Sequence, residues 1–348
     1  MRSPGRSHSA SARRQPGTLQ WLALLVSVGI LAVASPLVAA WPAPGPTIPD
    51  PSIYVTNQLD NTLSVIDGSN YKVVATVPVG ASPAGVAVSP DGRYAYIAEG
   101  GDDDVSVFDT GTRTITTSVA LPAGSSPRGV ALGPGGELLY VADGGSNRVS
   151  VVDTRTPRVV ASVPVGSQPV SVAVAPDGAW AFVADAGSDD VSVIDTRTNQ
   201  LAGVVTAGRF PAGVALSPDG GWAYVANELS ASVTVINTRS GAVEATIPAG
   251  TGPFDVAASP DGRRVYVADL GPGDLVVIDT RVGNVVSTVS IGPPGTDPFN
   301  VVATGGAVYV TNQGANTLSV IDPSTLQVVT TVPTGNSPYG VAVQSLPR

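Results

Sequence analysis

The sequence predicts an all-β chain, a seven-bladed β-propeller with four antiparallel strands in each blade, and three observations carry that reading. An aromatic-led phrase recurs seven times at a nearly constant step, the segments around it are short and β-rich, and the first and last repeats are incomplete in complementary ways. The phrase reads Tyr54-Val55-Thr56-Asn57, Tyr96-Ile97-Ala98-Glu99, Tyr140-Val141-Ala142-Asp143, Phe182-Val183-Ala184-Asp185, Tyr224-Val225-Ala226-Asn227, Tyr266-Val267-Ala268-Asp269 and Tyr309-Val310-Thr311-Asn312. Its steps are 42, 44, 42, 42, 42 and 43 residues. A period near 42 made of short strands is the signature of propeller blades.

The second repeat shows the four strands, named A to D outward from the axis: Gly85 to Val88, Tyr94 to Ala98, Val105 to Phe108, and Ile115 to Leu121. Ser89-Pro90-Asp91-Gly92 joins A to B, and proline second with glycine fourth fits a type I turn. The turn recurs at Ala175 to Gly178, Ser217 to Gly220 and Ser259 to Gly262, and more loosely at Gly133 to Gly136. Strand A carries alanine at its middle (Ala87, Ala131, Ala173, Ala215, Ala257, Ala342), with Val302 the exception. Blades converge at the axis, where small side chains fit. Because the first complete phrase starts on strand B at Ile53 and the last repeat stops after strand A at Val343, the two ends together make one blade. The C-terminal strand A is expected to pair with the N-terminal strands B to D, closing the ring and removing a free edge.

Residues 1–40 read as an export signal: Arg2, Arg6, Arg13 and Arg14 precede an apolar run from Trp21 to Ala34, and Val38-Ala39-Ala40 suits signal peptidase. Cleavage is placed after Ala40. The rival reading keeps 19–40 as an uncleaved membrane anchor, since about 20 apolar residues span a bilayer. Either way the chain is secreted or otherwise extracytoplasmic, and any membrane contact is through this segment alone. Residues 41–52 form a proline-rich linker, in which ~10 residues at ~3.1 Å each make a ~30 Å spacer. The propeller itself spans 53–345.

Removing the leader subtracts four arginines and no acid, which takes the formal charge from −9 to −13. Such a charge opposes nucleic acid as a partner. The chain has no cysteine, its one histidine is His8 in the leader, and its one lysine is Lys72. Disulfides, His/Cys zinc sites, His-ligated haem and every triad with a histidine base are therefore excluded from the exported part.

The aromatic-led phrase, its echo in Ser64 to Asp67, Ser192 to Asp195 and Ser319 to Asp322, and the Pro-x-Gly-Val-Ala-x-Ser-Pro-Asp-Gly stretch together resemble the YVTN-repeat, surface-layer-type seven-bladed propellers, from about Ile53 to Val343. The resemblance implies the fold and an extracytoplasmic setting. Members range from surface-layer components to an exported DNA-binding propeller, and related seven-bladed propellers include lactonases, so fold alone does not fix function.

In a propeller the D-to-A and B-to-C loops open on one face. There the residue after the loop proline reads Ala84, Arg128, Val170, Ala212, Phe254, Phe299 and Tyr339, followed by Gly85, Gly129, Ser171, Gly213, Asp255, Asn300 and Gly340. Three aromatics on consecutive blades, two of them followed by polar residues, mark one sector as different from the repeat's norm. Phe254, Asp255, Phe299, Asn300 and Tyr339, with Arg128 elsewhere on the ring, are the candidate ligand-binding residues. The competing reading is that the aromatics only plug the channel. The strand B ends Glu99, Asp143, Asp185 and Asp269 alternate with Asn57, Asn227 and Asn312, and such residues commonly bond to nearby backbone. Trp180 and Trp222 match Tyr94 at the head of strand B and read as blade core rather than a sugar platform.

The leading functional expectation is a non-catalytic binding or scaffold module at the cell surface, whose partner is a protein or a small-molecule or carbohydrate ligand. A lactonase-like or other hydrolase working through Asp255, Asp269 or Glu99, without His or Cys, is the alternative. Single-stranded nucleic-acid binding by stacking on the aromatic trio is a minor one. No cofactor is expected. Calcium at Asp102-Asp103-Asp104 or Asp189-Asp190 is a weak alternative, because these runs lack EF-hand spacing, and no metal ligands are assigned.

Overall fold

The computed structural model describes residues 52–344. The leader, its cleavage site or anchor, and the spacer up to residue 51 lie outside the described residues. Ser52 is already the first residue of a strand.

Seven four-stranded sheets form the propeller. Blade 1 is assembled from both ends of the chain: Pro338–Val343 is its strand A, and Ser52–Asn57, Thr62–Asp67 and Lys72–Pro78 are its strands B, C and D. Blades 2 to 7 follow in order over 83–120, 127–164, 169–206, 211–248, 253–290 and 298–333. The closing register pairs Ile53 with Val343, Tyr54 with Ala342 and Val55 with Val341. Strand A starts earlier than the sequence reading had it, at the loop proline (Pro83 in blade 2, Pro253 in blade 6). A proline is tolerated as the first strand residue because no ladder N–H is lost there.

The pleat decides which blade each side chain joins. On strand B of blade 1, Ile53 and Val55 pack with Tyr309 and Leu318 of blade 7. Tyr54 points the other way and packs with Ile97 and Phe108 of blade 2, its ring edge-on to Phe108 at 6.0 Å. Alternation along one strand thus clamps the closing blade between both neighbours. On the turn face each Ser-Pro-Asp-Gly turn also braces the next. Gly92 takes a φ of +72 and Gly136 one of +73, and a Cβ on Gly136 would come 2.7 Å from Pro90 Cδ of the preceding blade.

Strand B ends lock the D-to-A loops. Asn57 Oδ1 accepts from Gly335 N at 3.0 Å while its amide donates to Ser64 Oγ at 2.9 Å. Asp269 accepts from Gly252 N at 2.6 Å and Glu99 from Gly80 N at 2.7 Å. In blade 3, Ser150 Oγ donates to Asp143 at 2.6 Å, and in blade 4 Ser192 N donates to Asp185 at 3.1 Å. Asp143 and Asp185 each keep one buried oxygen without a partner. Burial pushes the carboxyls of Glu99, Asp143 and Asp185 up to about 7, because the charged form loses its hydration.

Deleting 338–348 should expose the strand B edge of blade 1 and abolish the cooperative thermal transition in circular dichroism. Between about pH 4 and 7 the folded state holds protons on Glu99, Asp143 and Asp185 that the unfolded chain has released, so stability falls as pH rises through that window. Exposed turn aspartates such as Asp67, Asp153 and Asp322 are held below their ordinary values by local hydrogen bonds, and their contribution is lost on further acidification. The melting temperature should therefore peak near pH 4–5. Asp143→Asn and Asp185→Asn, which copy the asparagine of blades 1, 5 and 7, should flatten the decline towards pH 8; an unchanged slope would refute the assignment.

Candidate functional site

The channel mouth is shaped by a one-residue slip that recurs in the A–B pairing. In blade 6, Pro253 pairs with Asp269 but Asp255 with Ala268. An extra residue on one strand bends it and re-aims its side chains, and here the slip falls on the two residues after the proline. The second of these lies against the next blade's inner strand. A Cβ on Gly85 would come 2.6 Å from Arg128 O, and one on Gly340 2.7 Å from Ala84 O. Glycine at these positions lets successive inner strands approach backbone to backbone.

Where the second residue is not glycine, its side chain reaches the next blade. Asp255 Oδ2 accepts from Val301 N at 3.0 Å and from Asn300 Nδ2 at 2.6 Å. Asn300 Oδ1 in turn accepts from Val341 N at 2.9 Å, and Ser171 Oγ accepts from Val214 N at 3.4 Å. Thr311 Oγ1 donates to Tyr339 O at 2.9 Å and Thr56 Oγ1 to Ala84 O at 2.6 Å. Asp255 and Asn300 therefore stitch blades 6, 7 and 1 together, and Thr311 and Thr56 carry the stitching on to blade 2. Burial pushes the Asp255 carboxyl up to about 7 despite these bonds.

The three aromatics stack in sequence across the same blades. Phe254 and Phe299 have ring centroids 4.0 Å apart at 32°, and Phe299 and Tyr339 4.5 Å apart at 59°. Phe299 and Tyr339 are buried while Phe254 is half-buried. Half-buried Arg128 of blade 3 lies beside Gly144 and interacts with the Tyr339 hydroxyl. Burial raises the Tyr339 phenol, and Arg128 partly offsets this. Among the described residues Arg128 makes no ion pair with a carboxylate.

All six sequence-derived ligand candidates, Arg128, Phe254, Asp255, Phe299, Asn300 and Tyr339, line one cavity of about 210 Å³ to which every inner strand contributes. The three carboxylates considered for hydrolysis do not converge there. Asp255 lines the cavity, whereas Glu99 and Asp269 do not and are spent on the D-to-A loops. The sequence reading missed Ser171, Thr56 and Thr311. The signal for the threonines was present, since the phrase carries Thr rather than Ala only in blades 1 and 7. The aspartate runs considered for calcium bond to backbone: Asp102 accepts from Ala81 N at 2.6 Å, Asp103 from Gly124 N and Ser126 N at 2.7 Å, and Asp189 from Phe210 N at 2.8 Å. Among the described residues no three His, Cys, Asp or Glu side chains are grouped to hold a metal.

The model of the family "Lactonase, 7-bladed beta-propeller" matches residues 49–159 and 156–344. Over 56 residues, 15% of this chain and 14% of the relative, the sequence is 46% identical to the seven-bladed beta-propeller protein Rv1057 of Mycobacterium tuberculosis. Among solved structures, Kuenenia stuttgartiensis hydrazine synthase is similar over 84% of this chain and 99% of its own, at 23% identity and a TM-score of 0.71. A functionally unknown protein from Desulfotomaculum acetoxidans is similar over 85% and 99% of the two chains, at 15% identity and a TM-score of 0.72. The dihydro-heme d1 dehydrogenase NirN is similar over 85% and 66%, at 19% identity and a TM-score of 0.64. At these identities the structural likenesses carry the fold alone. The family match, which extends over the whole propeller, is decisive: the chain belongs to the lactonase family of seven-bladed β-propellers.

Proposed function

We propose that this chain is an exported, non-catalytic binding module of the YVTN, surface-layer-type class, and that its channel mouth takes a small ligand or a partner's side chain with an apolar body and an anionic group. The observation that carries the reading is one cavity holding a stacked aromatic wall and an arginine without a carboxylate partner. The volume of about 210 Å³ is below the ~300–1,000 Å³ of drug-sized sites, which favours a compact group. Asp255, the cavity's carboxylate, is engaged by Val301 and Asn300, which argues against its serving as a free general base. Nucleic acid is disfavoured by the charge of −13 that follows from removing four arginines and no acid from a chain of −9.

Lactone hydrolysis is the second reading, favoured by the family match and by an Asp255 carboxyl that titrates near neutrality. The two separate in a screen of small aromatic carboxylates and of lactones, followed by thermal shift and by product formation. Binding predicts stabilisation by at least one aromatic carboxylate, weakened about 10- to 100-fold in Arg128→Ala, as for loss of a hydrogen bond to a charged group, and reduced in Phe254→Ala. Lactone turnover above the uncatalysed rate that disappears in Asp255→Asn would replace binding with hydrolysis.

A further inference from the structure

The face opposite the channel mouth carries a second feature, independent of the cavity described above. Neighbouring blades meet there in grooves between one blade's strand B and the next blade's A–B and C–D turns. Some of these grooves are bridged by side chains. Tyr140 of blade 3 donates from its hydroxyl to Asn199 of blade 4 at 3.2 Å, and the Arg264 guanidinium of blade 6 donates to the Pro323 carbonyl of blade 7. Between blades 1 and 2, Gln344 accepts from the Tyr54 hydroxyl and lies against Gly92.

Three other grooves hold cavities: about 650 Å³ between blades 2 and 3, about 310 Å³ between blades 4 and 5, and about 440 Å³ between blades 5 and 6. These are the grooves whose strand B begins with an aromatic: Tyr94, Trp180 and Trp222 respectively. Trp180 is 36% exposed, so the reading of this position as blade core does not hold for it. Tyr94 and Trp222 keep one side against the blade core, and all three aromatics wall a groove with the other.

The polar lining repeats as well. Turn aspartates Asp91, Asp177, Asp219 and Asp261 border the cavities, with Arg155, Arg239 and Arg281 contributed by the C–D turns of the following blade. Carboxylates at each groove disfavour an anionic ligand. An aromatic face beside carboxylate acceptors and guanidinium donors, of which Arg155 and Arg281 are held in place by Glu137 and Asp279, matches a pyranose ring, which offers C–H bonds on one side and pairs of hydroxyls at its edge. We infer that the three aromatic-led grooves of the turn face are saccharide-binding sites for a neutral polysaccharide, engaged together along one chain. Three sites on a rigid ring raise avidity well beyond that of one groove.

The test is affinity electrophoresis of the full chain through gels containing soluble glucan, mannan, galactan or chitin oligomers, with tryptophan emission followed in parallel. Of the four tryptophans only Trp180 and Trp222 belong to the propeller, so binding is expected to change their emission. Retardation by at least one polysaccharide is expected, reduced several-fold in Trp180→Ala and abolished when Tyr94→Ala and Trp222→Ala are added. Trp180→Phe should retain most of it, and the melting temperature of Trp180→Ala should match that of the parent. Absence of retardation in every gel, retardation that survives the triple substitution, or binding that leaves emission unchanged would each overturn the inference.

Discussion

Everything in this molecule depends on the backbone pairing of Pro338–Val343 with Ser52–Asn57. A propeller blade cannot bury both of its faces alone, and seven of them form a stable ring only when the last packs against the first. The chain reaches that state without a disulfide, since it has no cysteine. Its fastening is therefore the ladder of hydrogen bonds within blade 1 and the apolar contacts on either side. Ile53 and Val55 reach blade 7 while Tyr54 reaches blade 2, so the same six-residue strand is held from both directions.

Repetition on this scale makes departures informative. Where inner strands touch with glycine between them, the ring is uniform; where Asp255 and Asn300 stand instead, side chains take over the contact and tie blades 6, 7 and 1. The aromatic stack sits directly on this stitched sector. The polar residues beside the aromatics are thus structural supports for the wall as well as part of the cavity lining. Arg128 stands apart, because no neighbouring carboxylate neutralises it among the described residues. The mouth thus sets an engaged carboxylate against a guanidinium whose partner is the Tyr339 hydroxyl rather than an acid.

The fold was legible because the blade repeat is written in covalent order: strand count, turn positions and the split blade 1 are all properties of spacing. The ring of mouth residues was legible for the same reason, and its six ligand candidates do share one cavity. What spacing could not convey is contact between blades. The bond from Asn300 to Asp255 spans 45 residues, and the bond from Gly340 N to Thr56 Oγ1 spans 284, so neither leaves a local pattern. Trp180, 36% exposed where Trp222 packs against the core, shows the same limit in another form. A repeated aromatic at the head of strand B looks like core by position, yet its burial depends on what the next blade's turns place opposite it. Three such positions face open grooves while Arg264 meets a backbone carbonyl.

The most direct test of the closed ring is amide hydrogen exchange over strands Ser52–Asn57 and Pro338–Val343. Their protection is expected to equal that of internal strands such as Trp222–Asn227, because opening blade 1 and unfolding the ring are one event. Exchange at these two strands that is orders of magnitude faster than in the internal blades would show a ring that frays at its ends, and would contradict that coupling.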